Sequence, residues 1–521
     1  MPKQKTDDLI QLIKSLTRAE KRHFRLFVRR NQASEDILFL QLFDFLDKHQ
    51  EYDEVQILKK IPAIKKRQLS NLKGHLYKQL LTSLRLLNKN YIEEIQLREL
   101  LDYARVLYNK GLYRQSLEIL EKAGHRAFLG NYNALAMELI EFEKLIEGQH
   151  ITGSIEGRAE ELTRQSMELS TILYDNNRFS NLALQMYALN LKVGYVRNQK
   201  EYFFIKEFFK SKLPEVPIEK LSFWGKIFYC QAFGWYYHML QDFPMNYRYA
   251  QKWIDVFEDE PHMKQANLPL YIKGLHNLLG SLYNVVQYDK FITVLEQFNR
   301  LPKEIDFGQD NNIEGLFKTF GFIHNIQKHF MEGSFDEGLK LMPELDKFIE
   351  SDEYNLDDHR ILVFYYLMAC MYFSSGDNEN AIHYLNLIIN QKNPEYREDI
   401  QCFARILNLI AHYELGNMRL VEYQVKSVYR FLSKMEDLHE VQKEIFRFLR
   451  KTPKIQKSAT RNEFIRLKSQ LEKLESDPFE RRPFLYLDII SWLESKIENK
   501  PVGEIIRAKF DSRHTRSTDI K

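Results

Sequence analysis

Residues 361–390, ILVFYYLMACMYFSSGDNENAIHYLNLIIN, spell a helical hairpin with small side chains where two helices must touch. Ala369 and Tyr372 lie about one helical turn apart, Gly376 and Asp377 form the bend, and Ala381, Leu385 and Ile388 follow at helical spacing before Pro394. Ala381 has to be small, because a longer side chain at the closest approach of two helices forces them apart. The unbroken apolar run, 361–373, is thirteen residues long. That is too short to span a bilayer and suits a buried helix.

The same scheme recurs. In ELLDYARVLYNKGLYRQSLEILEKA, Ala104 and Leu107 precede the turn at Gly111, and Tyr113, Ser116, Leu120 and Ala123 follow it. FIHNIQKHFMEGSFDEGLKLMPELDKF turns at Gly333, with Phe335, Gly338 and Leu345 after it, and ILNLIAHYELGNMRLVEYQVKSVYRF turns at Gly416. The glycines at 333, 376 and 416 are 43 and 40 residues apart. GLHNLLGSLYNVVQYDKFITVLEQF and WYYHMLQDFPMNYRYAQKWIDVF keep the aromatic and small-residue alternation but lose the turn glycine. Residues 160–213 read as helices with no clean signature.

This order of small residue, aromatic, turn glycine, alanine and large apolar residue resembles the tetratricopeptide repeat. The resemblance covers residues 91–450 and implies an all-α fold, an irregular right-handed solenoid of helical hairpins. The spacing exceeds the roughly 34 residues of the standard repeat, so the superhelix is not expected to be regular. Composition agrees: 44% of residues are hydrophobic and 28% charged, with only 20 Gly and 14 Pro in 521 residues, too few for a strand-and-turn protein. In such an array the 36 Phe and 29 Tyr serve mainly to fill the gaps between helices.

Charge separates the ends of the chain. Residues 1–90 hold 19 Lys or Arg against 10 Asp or Glu, a surplus of nine on a chain whose net charge is +3. These residues form an expected basic helical module. Asp7 or Asp8 starts a first helix, Thr17-Arg18-Ala19-Glu20 has capping-box spacing, RAEKRHFRLFVRR and DILFLQLFDFLDK follow, and EVQILKKI breaks at Pro62 before a long basic helix. Residues 451–521 are expected to form a basic linker, an aromatic-rich capping helix within RRPFLYLDIISWLESKIENK, and a frayed polar tail. GQHITGSIEGR, with Gly148, Gly153 and Gly157, reads as a loop between helices, since no Lys-Ser/Thr ending marks it as a phosphate loop.

No catalytic constellation is written in the chain: HExxH, GxSxG, GxGxxG and the Walker loop are absent, and neither metal nor cofactor is expected. The 15 histidines are scattered and Cys230, Cys370 and Cys402 form no CxxC pair, which fits a reducing cytoplasm. The start of the chain carries charge throughout and shows no signal-peptide pattern. The expectation is therefore a cytoplasmic, non-enzymatic scaffold that binds a protein or peptide, with no membrane partner.

Two surfaces are candidates. The resemblance places the first helix of each hairpin along a groove, which would be lined by Phe320, Ile323, Gln327 and Phe330, by Val363, Tyr366, Cys370 and Phe373, and by Phe403, Ile406, Ile410 and Tyr413. Nearly all are apolar. Either an apolar helix of a partner lies there, or the chain's own helices, the aromatic C-terminal one included, cover it. The other candidate is residues 59–78, a helix, turn and helix carrying Lys65, Lys66, Arg67, Lys73 and Lys78. Cations contact phosphates, while Gln68, Ser70 and Asn71 could reach base edges. That surface makes the alternative function a transcriptional regulator, with a DNA-binding N-terminal module and a helical array that senses a peptide or protein.

Overall fold

Long stretches of helix-forming residues, broken mainly by short turns, give an all-α chain. The computed structural model describes residues 8–31, 34–49, 53–89, 91–150, 157–307, 311–351, 354, 356–391, 398–434, 439–451 and 457–518, and no strand occurs among them. Asp7, Gly153, Pro394 and residues 452–456 of the expected linker lie outside the described residues. No helix among the described residues is long and apolar enough to cross a membrane.

The chain divides into two compact units, Met1–Tyr174 and Asp175–Lys521. The first contains α1 (Asp8–Ser15), α2 (Arg18–Asn31), α3 (Ser34–Lys48), α4 (Glu54–Lys60), α5 (Lys66–Asn88), α6 (Glu93–Asn109), α7 (Tyr113–Leu129) and α8 (Asn133–Gln149). Helix α9 (Arg158–Val193) contains the boundary. The first unit has two separate cores. Leu9, Phe24, Phe43, Ile57, Leu76 and their neighbours from α1–α5 make one, and Leu97, Ala104, Leu120, Leu139 and Leu169 belong to the other. The capping box at the head of α2 forms as the spacing predicts: Glu20 accepts from the Thr17 amide at 2.7 Å, and Thr17 Oγ1 from the Glu20 amide at 3.2 Å.

The second unit continues with α10 (Gln199–Lys212), α11 (Phe223–Met239), α12 (Phe243–Asp259), α13 (His262–Ala266), α14 (Leu268–Asn284), α15 (Tyr288–Glu304), α16 (Asn311–Glu332), α17 (Phe335–Leu339), α18 (Met342–Glu350), α19 (Asp358–Ser375), α20 (Asn378–Ile389), α21 (Glu398–Glu414), α22 (Met418–Lys434), α23 (Glu440–Lys451), α24 (Lys457–Glu475), α25 (Arg482–Tyr486), α26 (Ile489–Glu498) and α27 (Val502–Thr518). Consecutive helices pack on one another: α11 on α12, α14 on α15, α19 on α20 and α21 on α22.

One backbone device makes the hairpins. Gly111, Asn131, Gln241, Val286, Gly333, Gly376 and Gly416 all have positive φ. In each case the next amide reaches back to the carbonyl five residues earlier, as from Leu112 to Leu107, Gln287 to Leu282 and Asp377 to Tyr372, at 3.0, 3.0 and 2.9 Å. This is the Schellman closure of a helix end. The turns missing a glycine in the sequence are thus intact, with Gln241 and Val286 in the left-handed region; in the second unit these bends fall at 241, 286, 333, 376 and 416, and again at Asn499, where the Lys500 amide reaches the Ser495 carbonyl at 3.0 Å.

Packing between the helices is matched by size. Five residues past the bend, Ala381 is wholly buried, and Ser116 fills the equivalent place while donating from Oγ to the Ala104 carbonyl at 2.8 Å. At Gly338 a Cβ would stand 2.6 Å from Met371 Sδ, and at Gly274 one would stand 2.9 Å from Trp253 Nε1. The hairpin about Gly333 departs from the expected form, because its second helix is split into α17 and α18. Pro343, in the first turn of α18, has no amide hydrogen to continue the ladder.

The basic stretch 447–468 is helical in α23 and α24 on both sides of residues 452–456. Phe446, Phe448, Leu449, Phe464, Leu467 and Leu471 are buried. Nor is the end of the chain frayed up to Thr518: α27 forms because Val502, Ile506 and Phe510 recur at helical spacing, and it packs on α16, α19 and α26.

Candidate functional site

In the first unit, the surface of interest is α5. Its apolar side, Leu69, Leu76 and Leu80 with the small Ser83, is buried against α2 and α3. His23 Nδ1 meets Ser83 Oγ at 2.9 Å, and the His75 ring lies edge-on to Phe39 at 4.7 Å. Ahead of it, Asp53 caps α4 by accepting from the Gln56 amide at 3.0 Å. Ile61 and Ile64 anchor the five-residue turn in the core, while Pro62 and Ala63 face solvent. The turn closes through the Ile64 amide on the Ile61 carbonyl at 3.0 Å, and α5 opens with the Gln68 amide on Lys65 at 2.8 Å. The expected helix, turn and helix over 59–78 is therefore present.

The solvent side of α5 is basic. Lys65, Lys66, Arg67, Gln68, Ser70, Asn71 and Lys78 are exposed, while Lys73 is half-buried at its edge. Residues 55–92 contain nine Lys or Arg and no Asp or Glu, a signal that counting charge over the whole module conceals. Among the described residues no carboxylate pairs with Arg67, Lys78 or Arg85, and Lys66 only approaches Glu54 at 3.7 Å with 82% of its side chain exposed. Three cations also crowd the start of α5, where the first turn has no acid and the helix dipole is already positive. Several other cations of this unit are paired with carboxylates. Lys21 and Arg25 hold Asp44 and Asp47 at 2.8 to 3.1 Å. Burial acts to raise the Asp47 carboxyl, and these two cations outweigh it, leaving it below its usual range. Arg98, Arg105 and Arg126 likewise meet Glu94, Glu138 and Glu93.

In the second unit, the proposed groove residues come together in a core instead of lining an open channel. Tyr366 and Phe373 are each 6% exposed, and Ile323 and Tyr413 are half-buried on the same cluster. Tyr366 donates its hydroxyl to the Tyr486 carbonyl of α25 at 3.0 Å, and Phe403 stacks on the Tyr486 ring at 4.3 Å. Tyr413 is walled in by Phe448, Phe464 and Trp492, at 5.9 to 6.4 Å. Trp492 Nε1 donates to Glu414 at 2.7 Å, and Lys496 pairs with the same carboxylate. Side chains of α24–α26 thus cover Tyr366, Phe403 and Tyr413.

Phe320 belongs to a neighbouring cluster, stacked under His276 at 3.9 Å. His276 Nδ1 lies 2.8 Å from His324 Nε2, and His324 Nδ1 lies 2.8 Å from Gln327 Oε1. Desolvation drives His324 down to about 4, against the hydrogen bond to Gln327. It holds His276 well below its usual value too, helped by His324, Lys273 and Arg360. Both rings are neutral at pH 7.

A polar cleft of about 240 Å³ lies among Arg197, Glu201, His439, Glu440, Lys443 and Glu480. Its charges are largely spent on one another: Arg197 on Glu201 at 2.7 Å, Lys443 on Glu440 at 2.6 Å, and His439 3.9 Å from Glu480. Burial raises the Glu480 carboxyl despite His439. No protein-family model matches the chain. No curated protein and no solved structure matches it either.

Proposed function

We propose that this chain is a nucleic-acid-binding adaptor, with α5 of a helix-turn-helix-like module as its binding element and a tetratricopeptide-like array as its body. The observation that carries this is the bare basic face: the solvent side of α5, in a 38-residue stretch, 55–92, with nine cations and no acid. Phosphates are the counter-charge such a face lacks. The repeated Schellman bends, and the small residues five positions after four of them, Ser116, Ala136, Gly338 and Ala381, support a tetratricopeptide-like reading of the hairpins. Cys230, Cys370 and Cys402 form no disulfide, which supports a cytoplasmic setting.

The function of scaffold for protein partners is supported by a different surface from the one the resemblance implies. Leu184, Tyr187 and Leu191, 65%, 40% and 58% exposed, make an apolar stripe at helical spacing on α9. Partners would dock on such an outer face, since the inner positions are occupied.

The test of the first reading is retention of the full chain on mixed-sequence nucleic acid as salt is raised. Log affinity should fall with log salt by about 0.9 per phosphate contacted, and replacing Lys65, Lys66 and Arg67 with Ala should flatten that slope by roughly 2 to 3. The triple variant should melt with the wild type, because exposed charges contribute little to stability. No retention at low salt overturns the reading.

A further inference from the structure

The positions of α5 farthest from the core are Arg67, Asn71, Gly74, Lys78, Thr82 and Arg85, at i, i+4, i+7, i+11, i+15 and i+18, and all six are exposed. They form one straight stripe, because a helix turns once in about 3.6 residues. The stripe is ordered: cation, short amide, bare backbone, cation, short hydroxyl, cation. At Gly74 an added Cβ would find nothing within 4 Å, so no packing in the fold calls for a glycine there. A mid-helix glycine costs about 0.5–1 kcal/mol relative to alanine, and here the protein itself shows no return for it.

Resting on the nucleic-acid reading above, we propose that the ligand of α5 is the major groove of B-form DNA, with Asn71 at the base edges and Gly74 at the closest approach of the backbone. A helix with its side chains is about 10–12 Å across and the B-form major groove about 12 Å wide. Entry therefore needs a helix bare on its apex and both flanks. Helix α5 meets this, with Lys66 and Ser70 exposed on one flank and Gln68 and His75 on the other. Asn and Gln side chains can pair bidentately with adenine. Arg67 and Lys78 bracket Asn71 and Gly74 and have no carboxylate partner among the described residues, so they are available to the phosphates on either side. Lys59 and Lys60, exposed at the end of α4, add cations on the approach.

The same geometry argues against other nucleic acids. The major groove of A-form RNA is too deep and narrow for a helix. Single strands are held by several stacking aromatics, whereas α5 offers Tyr77, 38% exposed, and His75, whose ring is engaged by Phe39.

The experiment compares the full chain on one mixed sequence as DNA duplex, RNA duplex and single-stranded DNA at a single salt concentration, together with the Gly74→Leu and Asn71→Ala variants. The DNA duplex should bind at least about tenfold more tightly than the other two. Gly74→Leu should melt no lower than the wild type, since leucine is the better helix former, yet lose about tenfold or more in duplex affinity. Asn71→Ala should keep its affinity for mixed duplex but lose about tenfold in preference for sequences selected by the wild type. Equal binding of RNA or single strands, or full duplex affinity in Gly74→Leu, overturns the major-groove assignment while leaving the nucleic-acid reading standing. Failure to bind any of the three ligands at low salt overturns both.

Discussion

Gly333 and Gly503 meet backbone to backbone: a Cβ on Gly333 would stand 2.7 Å from the Gly503 carbonyl oxygen and 2.8 Å from the Arg507 amide nitrogen. The bend after α16 is thus a seat for α27. Gly333→Ala is expected to cost about 1–3 kcal/mol from its positive φ plus a further contact penalty. Gly376→Ala, with positive φ but open space around it, should cost only the conformational part. Thermal melts of the two variants isolate the contact, and amide exchange should show α27 loosened in the first alone. Equal losses would mean that α27 does not rest there.

The bends lacking glycine make a sharper test of the turn. Val286 is β-branched, half exposed and at φ 56°, so Val286→Gly should raise stability by roughly 0.5–1 kcal/mol. Gln241→Gly relieves the same backbone but removes a buried amide that donates to the Val196 and Pro478 carbonyls, both at 3.3 Å. It should lower stability by about 1–3 kcal/mol. Denaturant melts that moved in the same direction would contradict this account.

Acid should weaken the second unit through its histidine pair. His324 titrates near 4 in the fold and near 6.5 in an unfolded chain. Between those values the unfolded state binds more protons, so stability is full above about pH 6.5 and is lost as pH falls toward 4, on the order of 3 kcal/mol. His276, beside Lys273 and Arg360, acts in the same direction. His324→Gln should flatten the dependence of melting temperature on pH over that window, and an unchanged slope would remove the pair from the account.

Phe373→Asp places an unpaired carboxylate in the core and should cost at least about 4 kcal/mol. Far-ultraviolet circular dichroism should show lost helix. A variant that folded normally would mean that the inner face is open to solvent.

The hairpins at Gly111, Gly376 and Gly416 were legible because a left-handed bend favours glycine, whose presence marks the place. At Gln241 and Val286 the aromatic and small-residue alternation marked the hairpins but not their bends, since main-chain hydrogen bonds make the closure and leave no side-chain mark. Helix α27 did carry a signal, in Val502, Ile506 and Phe510, that its polar composition obscured. For the site, Lys65, Lys66, Arg67 and Lys78 could be named from residue type alone. That Lys73 sits at the edge, and that Gly74 is bare, depends on which side α2 and α3 cover. Whether Tyr366 faces a partner or its own chain rests on Tyr486, 120 residues away, beyond the reach of local periodicity.

The cover over Tyr366, Phe403 and Tyr413 also sets an order of events. Chains emerge from the ribosome N-terminal end first, at about 5–20 residues per second. The inner faces of α19 and α21 are therefore made seconds before Tyr486 and Trp492 exist to close them. In that interval the nascent chain presents an aromatic surface whose cover has yet to be made, so this part of the second unit closes only when the last helices arrive.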